Sequence, residues 1–403
     1  MGEIRNILIA DYQACTADAR GGTEIASYRI AEALTGMGYA LFNVFWHGQS
    51  PSLTRPYQKV TRLDSGDNFT ADLSAFLSEN QIDLMIFMGS LKWVASIRKA
   101  VDDSGRNLKF LLMLHYTPGR ETKEFRRKLL SEMIWLKPSK IDNYLNFLIA
   151  PFLRVLKGVW LSKRYRKAIS NTDGIILLSE SYIPVFMKIA RTGNSAHFMA
   201  IPNIYDSNAG ESAPTSDMPE KEKRVLVLSR LDEKQKRISH ILRIWQMIEK
   251  KPDLSDWQLD IVGDGRYRQS YEKIVSRLRL RNVRFYGWQD SSVFLNRSSI
   301  IAMTSLYEGL SLSLIEAMSK GCVPVIYGSY SAAYDVVENG VDGFIIPGFG
   351  DTNAFAAKLS LLMEDGNLRQ RMALKAMEKA RTSFNVDTIG RKWKEINLRF
   401  QEF

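Results

Sequence analysis

The chain has 403 residues, 45% of them apolar and 25% charged, with a formal net charge of +11. That length predicts two domains of about 200 residues rather than one core, and the balance of apolar and charged residues excludes a long disordered chain. Cys15 and Cys322 are the only cysteines and stand outside any CxxC or Cys/His cluster, which excludes a disulfide framework and a structural zinc site and points to a reducing cytoplasm.

The chain opens with Met1-Gly2-Glu3-Ile4-Arg5-Asn6 and a short apolar run, Ile7 to Ala10. The run is too brief for a signal peptide, and Asn6 breaks the myristoylation pattern, so the start reads as mature and cytoplasmic. From there, short β-rich runs alternate with amphipathic stretches, the pattern of βα units and parallel sheets. Strands are expected at Asn6 to Ala10, Ala40 to Trp46, Asp83 to Met88, Lys109 to Leu114, Gly174 to Ser179 and His197 to Ile201. Their continuous hydrophobicity suits strands buried on both faces.

The basic charge is concentrated in 120–168, where thirteen Lys or Arg face four Asp or Glu. This segment lacks the βα rhythm, mixes its cations with Trp135, Tyr144, Phe147, Phe152 and Trp160, and carries Pro138 and Pro151 as expected breaks. It reads as helices inserted in the first domain. Arg154 and Lys157 interrupt its most apolar stretch, so no span of about 20 apolar residues is available to cross a bilayer. Its bland reading is a solvated helical insertion. Its sharper reading is attachment to an anionic membrane surface, since each Lys or Arg near such a surface contributes about 1 kcal/mol. Nucleic acid is not expected, because no binding module accompanies the charge.

Residues 206–223 are polar and Pro-containing and read as a linker between domains 1–205 and 224–385, with a C-terminal helix over 386–403 expected to pack back on the first domain. After the linker a second βα series begins, with strands expected at Arg224 to Leu228, Gln258 to Val262, Val283 to Tyr286, Ile300 to Thr304, Val323 to Tyr327 and Gly343 to Ile346. In such sheets ligands bind at the carboxyl ends of the strands.

Several elements at those strand ends suit an anion. Gly21-Gly22 lies between the first strand and a helix, where glycine lets backbone N–H groups approach a phosphate; taken alone it reads as readily as structure. Ser229 to Arg237 follows the first strand of the second series, and its arginines and lysines suit a diphosphate held without a metal, or else form a solvated charge run. Glu308 and Glu316 are eight residues apart, which on one helix leaves them about 80° apart in azimuth and roughly 12 Å along the axis. They are therefore not a paired acid and base. A loop through Gly309, Leu310 and Ser311, with a helix from about Leu312, places Glu308 at a strand end and Glu316 one turn into the helix. Taken alone, Glu316 is an ordinary helix-face acid and His115, after its apolar strand, a structural histidine. Gly263-Asp264-Gly265 lacks the third glycine of a dinucleotide fingerprint and is taken as lining the ligand cleft. No Asp-x-Asp triplet occurs, so no metal is expected.

The motifs GGTE, SRLDEKQKR, IVGDG, VRFYG, EGLSLSLIEAMSKGCVPV and ENGVDGFIIP occur in this order, and with them the chain resembles the retaining GT-B glycosyltransferases of family 4, the group 1 glycosyl transferases. The likeness covers nearly all of the second half and the first turn of the first half. It implies an α/β GT-B fold, two Rossmann-like, doubly wound parallel-sheet domains facing across a cleft, and transfer of a hexose or N-acetylhexosamine with retention. The implied donor is a nucleotide diphosphate sugar, a UDP-sugar rather than a GDP-sugar, with no cofactor. The implied acceptor is a lipid-linked or cell-surface glycan, as in capsule, exopolysaccharide, O-antigen or lipopolysaccharide synthesis, which suits an enzyme lying peripherally on the inner face of the cytoplasmic membrane.

The same resemblance implies that Glu316 accepts from the donor ribose hydroxyls, Glu308 lies by the transferred sugar, and Arg230 and Lys236 hold the diphosphate. Gly21 and Gly22 close from the other domain, and His115 lies beside the donor sugar. Where the family often has Lys, five residues after the Arg, this chain has Gln235, so Lys234 or Arg237 is a further candidate for the diphosphate. Asn203 matches a Pro-Asn at the domain hinge and is read as structural. An epimerase or phosphorylase on the same fold, or a sugar-nucleotide sensor without turnover, are the competing readings.

Overall fold

The computed structural model describes residues 4–16, 21–51, 54–121, 140–205 and 221–401. The chain forms two units, one of Met1–Pro202 with Gly390–Phe403 and one of Asn203–Ile389.

The first unit holds strands β1 (Asn6–Asp11), β2 (Ala40–Phe45), β3 (Lys59–Arg62), β4 (Leu84–Phe87), β5 (Lys109–Leu114), β6 (Gly174–Leu177) and β7 (Phe198–Ala200). They form one sheet in the order β3-β2-β1-β4-β5-β6-β7, and its recorded pairings are parallel. Helices α1 (Gly22–Gly36), α2 (Phe69–Glu79), α3 (Val94–Asp103), α4 (Lys140–Ser170) and α5 (Tyr182–Ala190) lie between the strands in sequence. The central strands are buried along nearly their whole length, as strands covered on both faces must be. The order of connection reverses between β1 and β4. There the chain leaves for opposite faces of the sheet, and a crevice opens at the carboxyl ends.

The second unit repeats the plan with β8 (Glu222–Leu228), β9 (Gln258–Val262), β10 (Val283–Gly287), β11 (Ser298–Met303), β12 (Val323–Gly328) and β13 (Phe344–Pro347), in the order β10-β9-β8-β11-β12-β13. Its helices are α6 (Ile238–Ile248), α7 (Arg268–Leu278), α8 (Ser291–Arg297), α9 (Leu312–Ser319), α10 (Ala333–Val336), α11 (Thr352–Glu364) and α12 (Gly366–Ser383). The reversal falls between β8 and β11. Inside this sheet Asp260 on β9 is fully buried and meets Arg224 and Arg297, each at 2.9 Å, and the Tyr286 hydroxyl at 3.2 Å. A buried carboxylate is tolerated when paired and hydrogen-bonded in this way.

The last helix, α13 (Val386–Gln401), carries the chain back to the first unit. Its Trp393 and Ile396 line a small cavity with Ile4, Ile7, Leu34, Tyr39 and Leu84.

One expectation about the insertion changes. Pro151 is no break, because α4 runs through it from Lys140 to Ser170. An interior proline removes one intrahelical hydrogen bond, which a helix of 31 residues absorbs. Pro138 and Trp135 lie outside the described residues, as does the part of the linker over 206–220. Among the described residues no helix is long and apolar enough to cross a membrane.

Candidate active site

At the reversal point of the second sheet, the loop after β8 turns back on the strand ends. Leu306 N–H donates to the Gln235 carbonyl at 2.8 Å, and the Thr304 hydroxyl lies 3.1 and 3.0 Å from the carbonyls of Lys236 and Arg237. These bonds fix Lys236 beside the loop after β11. Its Nζ meets Glu308 Oε1 at 2.6 Å, with the two side chains 15% and 6% exposed. Gln235 Nε2 donates to the other carboxylate oxygen at 3.2 Å and to the Tyr307 carbonyl at 3.2 Å. Glu308 therefore has a cation on one oxygen and an amide on the other, the satisfied form in which a buried carboxylate persists. Ser229, Lys236, Thr304 and Ser305 line a small pocket at this point.

Arg230 lies exposed beyond β8, and among the described residues it has no ion-pair partner. Lys234 is also exposed. Arg237 is turned elsewhere: it caps the start of α6 in a left-handed conformation, reaches Glu233 at 3.5 Å and lies over the Phe349 ring. Of the cations in this loop, Lys236 is the one the fold brings to Glu308.

Gly309, Leu310 and Ser311 form the loop expected after Glu308. Ser311 is the N-cap of α9, Leu312 its first residue, and Glu316 lies half-buried one turn in. Asn203 is buried and donates from Nδ2 to the Leu310 carbonyl at 3.0 Å, so it braces this loop. Gly263 has φ +124°, and a Cβ there would stand 2.1 Å from the Ser229 carbonyl oxygen. Glycine is what allows the β8 and β9 loops to touch.

In the first unit, Gly21 caps α1 and Gly22 is its first residue. The Glu24 carboxylate folds back over Gly21, where a Cβ would meet Oε2 at 1.9 Å. His115 follows β5, half-buried, with Nε2 3.3 Å from the Met88 sulfur. Burial pushes its pKa down to about 4. Asp11 ends β1, buried, and accepts from Tyr12 N–H at 2.6 Å, with the Cys15 thiol and the Ser27 hydroxyl at 3.3 and 3.2 Å from Oδ2. Burial raises its carboxyl pKa to about 7. Sequence reading passed over Asp11 and Met88 as site residues, and took Gln235 only as a departure from the family pattern. Asp11 alone carried a signal, a carboxylate closing an apolar strand. Among the described residues no cluster of His, Cys, Asp and Glu is arranged to hold a metal.

Two doubly wound parallel sheets, each with its reversal point at the carboxyl edge, define the GT-B class of two Rossmann-like domains, and solved structures agree. Anabaena HepE in complex with UDP-glucose superposes with a TM-score of 0.73 at 19% identity, over 97% of this chain and 98% of that one. Sucrose-phosphate synthase from Thermosynechococcus elongatus does so with a TM-score of 0.74 at 18% identity, over 99% of each chain. Residues 210–379 match the family model of glycosyl transferases group 1. That stretch is a group 1 glycosyl transferase domain. A Haemophilus influenzae protein described as an uncharacterized glycosyltransferase is 23% identical over 396 residues, 93% of this chain and 96% of its own length. The Bacillus subtilis poly(glycerol-phosphate) alpha-glucosyltransferase is 26% identical over 54% of this chain, which spans only 32% of that relative.

Proposed function

We propose that the protein transfers a hexose or N-acetylhexosamine from a nucleotide diphosphate sugar, a UDP-sugar in the first instance, to a lipid-linked or cell-surface glycan of a bacterial envelope. The observation that carries the reading is the buried Lys236–Glu308 pair at the β8/β11 reversal point, with Gln235 on the second carboxylate oxygen. Breaking the anomeric C–O bond builds negative charge on the departing diphosphate and positive charge on the sugar. Lys236, the exposed Arg230 and the amides that open α9 suit the first, and the Glu308 carboxylate suits the second. Fixed donors of this kind are worth about 10²- to 10³-fold in rate each. Glu316 is assigned to the ribose hydroxyls, Gly263 and its loop to the neighbourhood of the base, and His115 with Gly21 and Gly22 to the sugar side. No metal is assigned, since two cations and helix-start amides serve the leaving group. Relatives support the acceptor class: one acts on poly(glycerol-phosphate) by name, and another is an N-acetyl-D-galactosaminyltransferase of Campylobacter jejuni named for a PP-undecaprenol glycan, 26% identical over 178 residues.

A peripheral membrane seat on the cytoplasmic face belongs to the same reading. On α4, Leu161, Tyr165 and Ala168 are buried, while Val155, Leu156, Val159 and Trp160 are exposed beside Lys163 and Arg164. An apolar strip flanked by cations suits an anionic interface.

The test is release of nucleoside diphosphate from a panel of UDP- and GDP-hexoses in EDTA, with and without membrane lipid extract. Lipid-stimulated release that collapses in Glu316→Ala is expected. Binding without release from any donor would favour a sensor, and release that requires added Mg²⁺ would overturn the metal-free assignment.

A further inference from the structure

Behind His115, the carboxyl edge of the first sheet holds buried groups that the donor assignment leaves unused: Met88, Ser27 and Asp11. Met88, directly after β4, is 2% exposed, and its sulfur lies 3.3 Å from His115 Nε2 and 2.9 Å from the Ser27 hydroxyl. A thioether has lone pairs and no proton, so a group that hydrogen-bonds to it must bring the hydrogen. Nε2 of His115 is therefore the protonated nitrogen. A neutral imidazole has only one N–H, which leaves Nδ1 with a lone pair. Among the described residues Nδ1 has no hydrogen-bond partner, and it is not sealed from solvent.

The groups behind Met88 fit the same proton count. Ser27 has one hydroxyl proton and faces two acceptors, the Met88 sulfur and Oδ2 of Asp11. An ionised Asp11 would satisfy only one of these contacts. A protonated Asp11 donates to Ser27, which donates to Met88, and the sulfur then accepts from Ser27 and His115 together.

We propose that Met88 is a positioning residue that holds His115 as the Nε2–H tautomer, so that Nδ1 meets the substrate as a hydrogen-bond acceptor. This rests on the transferase reading. An acceptor nitrogen takes its hydrogen from an O–H or N–H group, so His115 reads a sugar hydroxyl and is not a ligand for the diphosphate oxygens or for a sugar carboxylate.

The chain has four histidines, His47, His115, His197 and His240, so protein labelled with nitrogen-15 histidine gives four imidazole patterns in long-range proton–nitrogen correlation spectra. His115→Gln identifies the relevant one. The pattern of a single Nε2–H tautomer is expected near neutral pH, replaced in Met88→Leu by a mixture of tautomers while the other three patterns stay in place, which shows the variant folded. Turnover in Met88→Leu should fall about fivefold in kcat with donor KM nearly unchanged, the worth of one oriented hydrogen bond. An Nδ1–H pattern in the parent, or a His115 pattern indifferent to Met88→Leu, overturns the proposal. A parent that turns over no nucleotide sugar sinks the transferase reading instead, and the nitrogen spectra then decide the tautomer alone.

Discussion

The two sheets share a strand order and a reversal point, yet their carboxyl edges are built from opposite chemistry. The second presents full charges, Lys236 against Glu308 with Arg230 nearby. The first gathers groups that burial drives to their neutral forms: Asp11 with its pKa raised to about 7, His115 with its pKa lowered to about 4, and between them a hydroxyl and a thioether. One topology thus carries an ionic edge and a neutral one. The strand order decides where the side chains gather, and their identity decides what they hold.

The largest expected effect falls on the ionic edge. Lys236→Met should lower kcat/KM for nucleoside diphosphate release by about 10²- to 10³-fold. It also strands Glu308 without its cation, which destabilises the fold by roughly 3 kcal/mol, read by denaturant unfolding. A variant with near-parental turnover would erase the contrast between the edges.

The neutral edge should show itself in pH dependence. The folded pKa of Asp11 lies above its unfolded value of 3.8, so its protonated form favours the fold. That contribution is complete below about pH 4 and is lost as the pH rises through 7. His115 runs the other way. Its folded pKa lies below 6.5, and its contribution is complete above that pH and lost as the pH falls toward 4. Each slope is about 1.4 kcal/mol per pH unit, and over the shared window they oppose one another. Asp11→Asn should therefore make stability rise with pH between about 4 and 6.5 relative to the parent, and His115→Gln should make it fall. Unfolding midpoints of the two variants that track the parent at every pH would remove the neutral edge from the comparison.

The smallest effect sharpens the account of the ionic edge. Asn203→Ala removes the amide that braces the Leu310 carbonyl and should cost about 1–2 kcal/mol in thermal or denaturant unfolding. Its effect on turnover should be far below that of Lys236→Met.

Legibility in the sequence follows what is local. Lys109–Leu114 and Gln258–Val262 stand in the structure with the bounds their apolar runs suggest, because each opens on one partly buried polar residue and is buried from there to its end. β3 escapes such reading, since Lys59 and Arg62 are exposed at an edge and leave no apolar run to see. The positions of Glu308, Ser311 and Glu316 along loop and helix are legible from one glycine and one serine. The Lys236–Glu308 contact joins residues 72 apart, and no local period announces it. Asp11 is legible only in part: it closes an apolar strand, but its contact with Ser27, 16 residues on, comes only with the fold.

The return of α13 to the first unit bears on the order in which the protein assembles. Trp393, Ile396 and Phe400 are buried in a unit whose other residues end at Pro202. During synthesis the first sheet must wait for some two hundred further residues, about 10–40 s at ribosomal speeds, before its core can close. The second unit, emerging later, has its whole core in one continuous segment and can finish first. The second core is then in place while the amino ends of β1, β4 and β5 still lack the α13 side chains that pack there, and the half-built first sheet is the natural client for a chaperone.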